Sequence, residues 1–248
     1  MSTIRIAMWS GPRNLSTAMM RSFGARADCF VSDEPFYAHY LSVSGVRHPM
    51  QEDILAAHET DPAAVIDHLT GPAAGGQALW YQKHMPQHLY QPGVPRDWLG
   101  GMRHALLIRD PAYVAASFDA KRSDPTLEDL AVPQLDRLDA ELTDLLDAPP
   151  PVIEAEDVRR DPEGMLRSLC AALGIDFDPA MLSWPPGRRE TDGVWASHWY
   201  GAVEQSTGFA PPPGPPPDLP PKLADLAEAA RPSFERLRAR KLTPHTSA

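Results

Sequence analysis

Short apolar runs alternate with longer amphipathic stretches along this chain, and each run stops at polar or charged residues. Ile4 to Trp9 (IRIAMW), bounded by Ser-Gly-Pro, has the length and character of a buried strand. Leu15, Met19, Met20 and Phe23 then recur at helical spacing, with Asn14 or Ser16 placed to cap that helix. Cys29-Phe30-Val31 predicts a second strand that ends at Ser32-Asp33-Glu34-Pro35, and Ala78 to Gln82 and His104 to Ile108 predict two more. Pro111 suits the first turn of a helix from Ala112 to Ala120, where its missing N–H has no intrahelical partner to lose. Leu127 to Leu146 predicts one long amphipathic helix closed by Ala-Pro-Pro-Pro. Val152-Ile153-Glu154 predicts a last strand, followed by a helix through Met165, Leu166, Leu169 and Leu173 that stops at Gly174.

Strands that alternate with helices imply an α/β fold with a parallel sheet, whose ligands sit at the carboxyl ends of the strands. Ser10 to Thr17, Asp33-Glu34, Lys83-His84 and Arg109-Asp110 all fall at such ends. The pattern divides the chain into an α/β domain over residues 1–209, a Pro-rich connector over 210–221 (APPPGPPPDLPP from Ala210) and a C-terminal helix and tail over 222–248. That helix, from Lys222 to Lys241, is expected on the surface or against a partner, and with the connector it suggests a homodimer.

Composition narrows the functional classes. The chain has 248 residues, 43% hydrophobic and 23% charged, with a formal net charge of -10. That balance is ordinary for a soluble globular protein and opposite to the basic footprint of a nucleic-acid binder. Only two cysteines occur, Cys29 and Cys170, which fits a reducing compartment. No apolar stretch approaches the ~20 residues of a membrane span, and the start lacks a secretory pattern, so a cytoplasmic location with no membrane partner is expected.

The candidate chemistry begins at the loop Ser10-Gly11-Pro12-Arg13-Asn14-Leu15-Ser16-Thr17, which offers helix N-terminal amides, two hydroxyls and one guanidinium to an anion. Leu15-Ser16 stands where a Walker loop would need Gly-Lys, and no DxD cluster for magnesium lies nearby, so a nucleoside triphosphate is disfavoured and no metal is expected. A second cluster, Leu107-Ile108-Arg109-Asp110-Pro111 followed by Ser117, places an arginine at a strand end and a serine two turns into the next helix.

Together these clusters resemble the P-loop sulfotransferases, which use PAPS (3′-phosphoadenosine-5′-phosphosulfate) as sulfuryl donor. Pro12 to Thr17 is similar to their P-[KR]-x-[GS]-[ST]-T motif, which cradles the 5′-phosphosulfate; Leu15 departs from it, replacing the usual small residue. Arg109, Pro111 and Ser117 resemble their R-x-P and serine, which hold the 3′-phosphate. Val152 to Val158, then Asp161-Pro162 and the helix to Gly174, resemble a third, structural motif, so the likeness runs from about Ile4 to about Phe209. It implies a three-layer α/β/α fold of P-loop type around a central parallel sheet. Gly11, Pro12, Arg13, Asn14, Leu15, Ser16, Thr17, Arg109 and Ser117 are the expected donor ligands. Arg188, in Pro186-Gly187-Arg188-Arg189, is added from a partial match to the family's late basic loop.

Sulfuryl transfer needs stabilisation of negative charge on the leaving phosphate oxygen, expected from Arg13 and the loop amides, and a base for the acceptor proton. Glu34 matches a catalytic glutamate of some members, and His84, in Gln82-Lys83-His84-Met85-Pro86, partly matches the K-x-H-x-P histidine of others. Glu34 ranks slightly ahead, and Lys83 is placed to reach the bridging oxygen. His39 and His88 are expected to be structural, as are most of Trp9, Trp80, Trp195, Trp199 and Tyr200, one of which could stack on adenine. The resulting expectation is metal-independent transfer from PAPS to a hydroxyl or amine of a small metabolite. A small-molecule kinase and a non-catalytic nucleotide-binding protein are the rivals.

Overall fold

All five apolar runs form strands: β1 (Ile4–Ser10), β2 (Cys29–Asp33), β3 (Leu79–His84), β4 (Arg103–Ile108) and β5 (Val152–Glu154). In the computed structural model, which describes residues 3–119 and 125–246, they pair in the order β2-β3-β1-β4-β5, all parallel. The helices between them are α1 (Ser16–Gly24), α2 (Tyr37–Val43), α3 (Gln51–Ala57), α4 (Pro62–Thr70), α5 (Pro86–Leu89) and α6 (Pro111–Asp119). Further on come α7 (Leu127–Leu130), α8 (Val132–Leu146), α9 (Ala155–Arg160), α10 (Pro162–Ala172), α11 (Ala196–Trp199), α12 (Gly201–Glu204) and α13 (Pro221–Arg238).

Strand side chains alternate between faces, and the two sides of the sheet carry separate cores. Ile6, Met8, Tyr81 and Leu107 pack on one side with Met19, Met20 and Phe23 of α1 and Met165, Leu166 and Leu169 of α10. Ala7, Trp9, Trp80 and Leu106 pack on the other with Leu135, Leu138 and Leu142 of α8 and Ala230, Phe234 and Leu237 of α13. The result is a three-layer α/β/α arrangement. Because β3 lies on one side of β1 and β4 on the other, the chain crosses over at β1, and the crevice of a doubly wound sheet opens at that strand's carboxyl end.

Several expectations need correction. β3 runs two residues past Gln82, because its ladder to β1 extends to Trp9↔His84 and its ladder to β2 to Asp33↔Lys83. The stretch from Leu127 to Leu146 is two helices, broken at Ala131, which takes a left-handed φ of 59°. Pro133 supplies no N–H to a continuous helix and its ring clashes with the carbonyl four residues back, so it is accommodated in the first turn of α8 and a new helix starts there. Neither Asn14 nor Ser16 caps α1; Leu15 occupies the cap position without a side-chain bond. Ala120, the expected end of α6, lies outside the described residues. The apolar face of α13 is covered from within, by α6 and α8 of its own chain, so it is not an open face awaiting a partner. No helix among the described residues is long and apolar enough to cross a membrane.

Candidate active site

At the carboxyl end of β1 the chain leaves Ser10 into a loop with two left-handed non-glycine residues, Arg13 at φ 63° and Leu15 at φ 71°. L-residues enter this region at a cost of roughly 1 kcal/mol or more. Here it turns the loop so that Ser16, Thr17 and Ala18, the uncapped first turn of α1, line a cavity of about 650 Å³. Pro12, Arg13, Asn14 and Leu15 line it as well. Gly11 does not. A Cβ there would lie 2.6 Å from the Leu130 carbonyl, so this glycine lets the loop pack against α7 rather than touch a ligand.

The second corner opens into the same cavity. Arg109, at the end of β4, donates through Nη1 to the Arg13 carbonyl at 2.9 Å and through Nε to Glu156 at 2.8 Å. The Arg13 guanidinium turns toward α6 and donates to Ser117 Oγ at 2.8 Å. In this state the Arg13 charge therefore lies beside Arg109 and Ser117 rather than over the first turn of α1. Arg159 of α9, which the motifs did not single out, joins them on the cavity wall. Its Nη1 donates to the Ala210 carbonyl at 3.3 Å, while its buried Nε has no partner. Burial first, and then Arg109, hold Arg13 below the ordinary arginine value, and the same two causes lower Arg159 against the pull of Glu156. Arginines crowded until they disfavour one another's charge form a site whose energy improves when an anion enters.

Across the cavity, Lys83 faces in from β3. Its buried Nζ donates to Asp33 at 2.8 Å, to Glu34 at 2.6 Å and to the Tyr200 hydroxyl at 2.6 Å. The Tyr200 hydroxyl donates to Asp33 and receives Trp195 Nε1 at 3.2 Å. Burial alone would lower Lys83, but Asp33 and then Glu34 outweigh it and hold the ammonium well above its ordinary value. All three of its N–H bonds are taken, so Lys83 reaches no other group without releasing one of these. Glu34 follows β2 with a φ of 42°, keeps its backbone N–H on the Lys83 carbonyl at 3.0 Å and lines the cavity. Burial raises its carboxyl above the usual range, opposed by Lys83. A raised, partly desolvated carboxylate beside a cavity has the character of a general base.

Two sequence candidates lie outside this arrangement. His84 follows Lys83 within the strand, so its side chain falls on the opposite face of the sheet. It stacks on Trp9 at 4.5 Å, shares a 3.2 Å hydrogen bond with Gln82 and does not line the cavity. Burial, with help from His104, pushes its imidazole down to about 3. It is a neutral core residue, not a base for the acceptor. Arg188 also does not line the cavity; its carbonyl accepts a bond from Arg189. The late segment instead enters through Trp195, Trp199 and Tyr200, anchored by a buried ion pair in which Arg21 donates to both Asp192 oxygens at 2.5 and 2.7 Å. Tyr37, Tyr40, His48 and His88 complete that end of the cavity. Among the described residues, no group of three or more His, Cys, Asp or Glu is arranged to hold a metal ion.

Comparison with known proteins bears on the family and the fold. A family model described as a sulfotransferase domain matches residues 4–241. Branched-chain-amino-acid aminotransferase-like protein 1 of Arabidopsis thaliana is 37% identical over 236 residues, 94% of this chain and 41% of its own length. Protein 2 of the same name and organism is 36% identical over 234 residues, again 94% of this chain and 41% of its own. The chain thus spans less than half the length of these curated relatives. Among solved structures, the sulfotransferase domain from the curacin biosynthetic pathway superposes with a TM-score of 0.53 at 15% identity, covering 98% of this chain and 99% of that one. A sulfotransferase from Alicyclobacillus acidocaldarius gives 0.52 at 18% identity, covering 98% of each chain. Both likenesses are of fold.

Proposed function

The chain belongs to the sulfotransferase-domain family, and from that premise we propose that it moves a sulfuryl group from PAPS to a hydroxyl or amine of a small acceptor. The observation that carries this reading is the convergence of two separate strand-to-helix corners on one cavity, joined by the hydrogen bond from Arg109 to the Arg13 carbonyl. The residues present suit a donor with phosphate at both ends. Arg13, Arg109, Ser117 and Arg159 would hold the 3′-phosphate, and the loop from Pro12 with the amides and hydroxyls of Ser16 and Thr17 would hold the 5′ end. Arginines and backbone dipoles supply the positive potential, so the transfer is read as metal-independent.

PAPS supplies an activated sulfuryl group, whose S–O bond to phosphate breaks as the acceptor oxygen bonds to sulfur, the electron pair staying on phosphate. Glu34 takes the acceptor proton. Its carboxylate is held by Lys83 at 2.6 Å, which fixes its position while burial keeps its basicity above that of an ordinary carboxylate. The helix amides of α1 oppose the negative charge left on the phosphate. Incubation of the purified chain with PAPS and an extract of small metabolites tests this directly by mass spectrometry. The expected result is a sulfuryl adduct formed together with the desulfated nucleotide PAP. Nucleotide binding without any adduct would favour a binding protein, and phosphorylation with ATP would favour a kinase.

A further inference from the structure

Behind the candidate base stands a second carboxylate. Asp33 closes β2 and Glu34 follows it, and both accept from the same Lys83 ammonium, at 2.8 and 2.6 Å. They differ in what they face. Glu34 lines the cavity and Asp33 does not, and the Asp33 side chain is 1% exposed against 10% for Glu34. Donors enclose Asp33 instead: Lys83 on Oδ1, and on Oδ2 the Tyr200 hydroxyl at 2.7 Å and the Gly193 N–H at 3.3 Å. Trp195 Nε1 donates in turn to the Tyr200 hydroxyl, so three residues of one late segment serve this carboxylate, directly or through the tyrosine.

The need for such a partner comes from Lys83, whose side chain is also 1% exposed. A buried ammonium has given up its hydration and requires a counter-ion. A general base, however, must change charge: on taking a proton from the acceptor, Glu34 becomes a neutral carboxylic acid. Were Glu34 the sole counter-ion, that step would strand the ammonium, and the penalty would keep Glu34 ionised and poorly basic. The three N–H bonds of Lys83 end on Asp33, Glu34 and Tyr200, so Asp33 is the carboxylate still bonded to it when Glu34 is neutral. Among the described residues, the other titratable groups facing Glu34 are Tyr37 on α2 and Tyr200 between α11 and α12, whose hydroxyls burial keeps protonated. A neutral phenol is no counter-ion.

We infer that Asp33 is the positioning residue that lets Glu34 act as a base, by remaining as the counter-ion of Lys83 when Glu34 takes the acceptor's proton. This rests on the sulfuryl-transfer reading above. In that step the acceptor O–H gives its proton to Glu34, its oxygen bonds to sulfur, and the S–O bond to phosphate breaks with its electron pair on phosphate. The proton then leaves Glu34 for water once the products depart, through the cavity that Glu34 lines. Asp33 acts only through Lys83, from behind the wall. The charges around Glu34 agree in sign: burial raises its carboxyl most, Lys83 opposes the rise and Asp33 adds to it.

Infrared titration reads the charge of Glu34 without any acceptor, from the C=O stretch of its protonated carboxyl, identified as the band that Glu34→Gln lacks. In Asp33→Asn, a replacement of nearly equal size, the Glu34 midpoint is expected to fall by about one pH unit from that of the wild type. A fall of less than about half a unit, or a rise, would overturn the inference, because a purely structural ion pair lowers the melting temperature without moving that midpoint. Glu34→Gln copies the protonated base and decides the matter should Asp33→Asn fail to fold. With Asp33 as the counter-ion it is expected to melt within about 5 °C of the wild type. A larger loss would mean that Lys83 depends on Glu34, and would overturn the inference as well. Failure of the wild type to bind PAP would instead overturn the sulfuryl-transfer reading, while the infrared midpoint would still decide what Asp33 does to Glu34.

Discussion

Glu34 and His84 show how far a single residue type decides a role, and where position takes over. Both are bases at the end of a predicted strand, and either could accept a proton. The outcome turns on strand parity: β3 extends through His84, so Lys83 looks into the cavity and its neighbour looks away, into the stack with Trp9. A two-residue error in a strand boundary, invisible in the sequence, moved a candidate base from the core to the site. Glu34 escapes this ambiguity because the turn at Pro35 fixes where its strand ends. Glu34→Gln is expected to lower turnover by about a hundredfold or more while PAP binding stays intact, since an amide can accept Lys83 but not a proton. The carboxyl of Glu34 is raised by burial, and only its ionised form works as a base. The rate should therefore fall as pH drops, with a midpoint above the usual carboxylate range, and a pH–rate profile of the wild type checks this. A midpoint at or below an ordinary glutamate value would remove Glu34 from the role.

Elements were more legible than their neighbours in space. The loop from Ser10 to Thr17, the Arg109 to Ser117 corner and the five strands could be read because each is contiguous, with its period or motif complete within a dozen residues. Arg159 could not, because nothing in α9 itself marks one arginine of the pair Arg159-Arg160 as pointing into a cavity shared with β1 and β4. The relevant signal is the turn from β5 into α9, which sets Glu156 on Arg109 and Arg159 one helical turn further along. The clamp of Asp33, Lys83 and Tyr200 joins segments 50, 117 and 167 residues apart and has no local pattern at all. The arginine corner carries its own prediction. Arg159→Ala should weaken PAP about tenfold and leave 5′-AMP, which lacks the 3′-phosphate, nearly unchanged. Equal losses for both nucleotides by calorimetry would place Arg159 elsewhere than at the 3′ end.

Over the whole molecule, the two cores and the helix α13 that closes one of them make the C-terminal segment part of the α/β body. The same packing buries imidazoles in neutral form. Burial pushes His84 down to about 3 and His104 down to about 4. Both lie below the unfolded value, so the stability they hold is complete above about pH 6.5 and is lost as pH falls toward those lower values. The melting temperature should drop steadily on acidification below pH 6.5, and the His84→Phe variant, with a ring that cannot protonate, should lose less. At this scale the account depends on a single site that accepts an adenosine compound with two phosphates. Calorimetric titration with PAP, on the wild type and on Arg109→Ala, with ATP and Mg²⁺ as the comparison, tests it most directly. The account predicts tight PAP binding, weak ATP binding, and a loss of tenfold to over a hundredfold in PAP affinity on substitution, as expected for about 1.5–3 kcal/mol from one charge-assisted contact. ATP bound more tightly than PAP, or PAP affinity indifferent to Arg109, would contradict it.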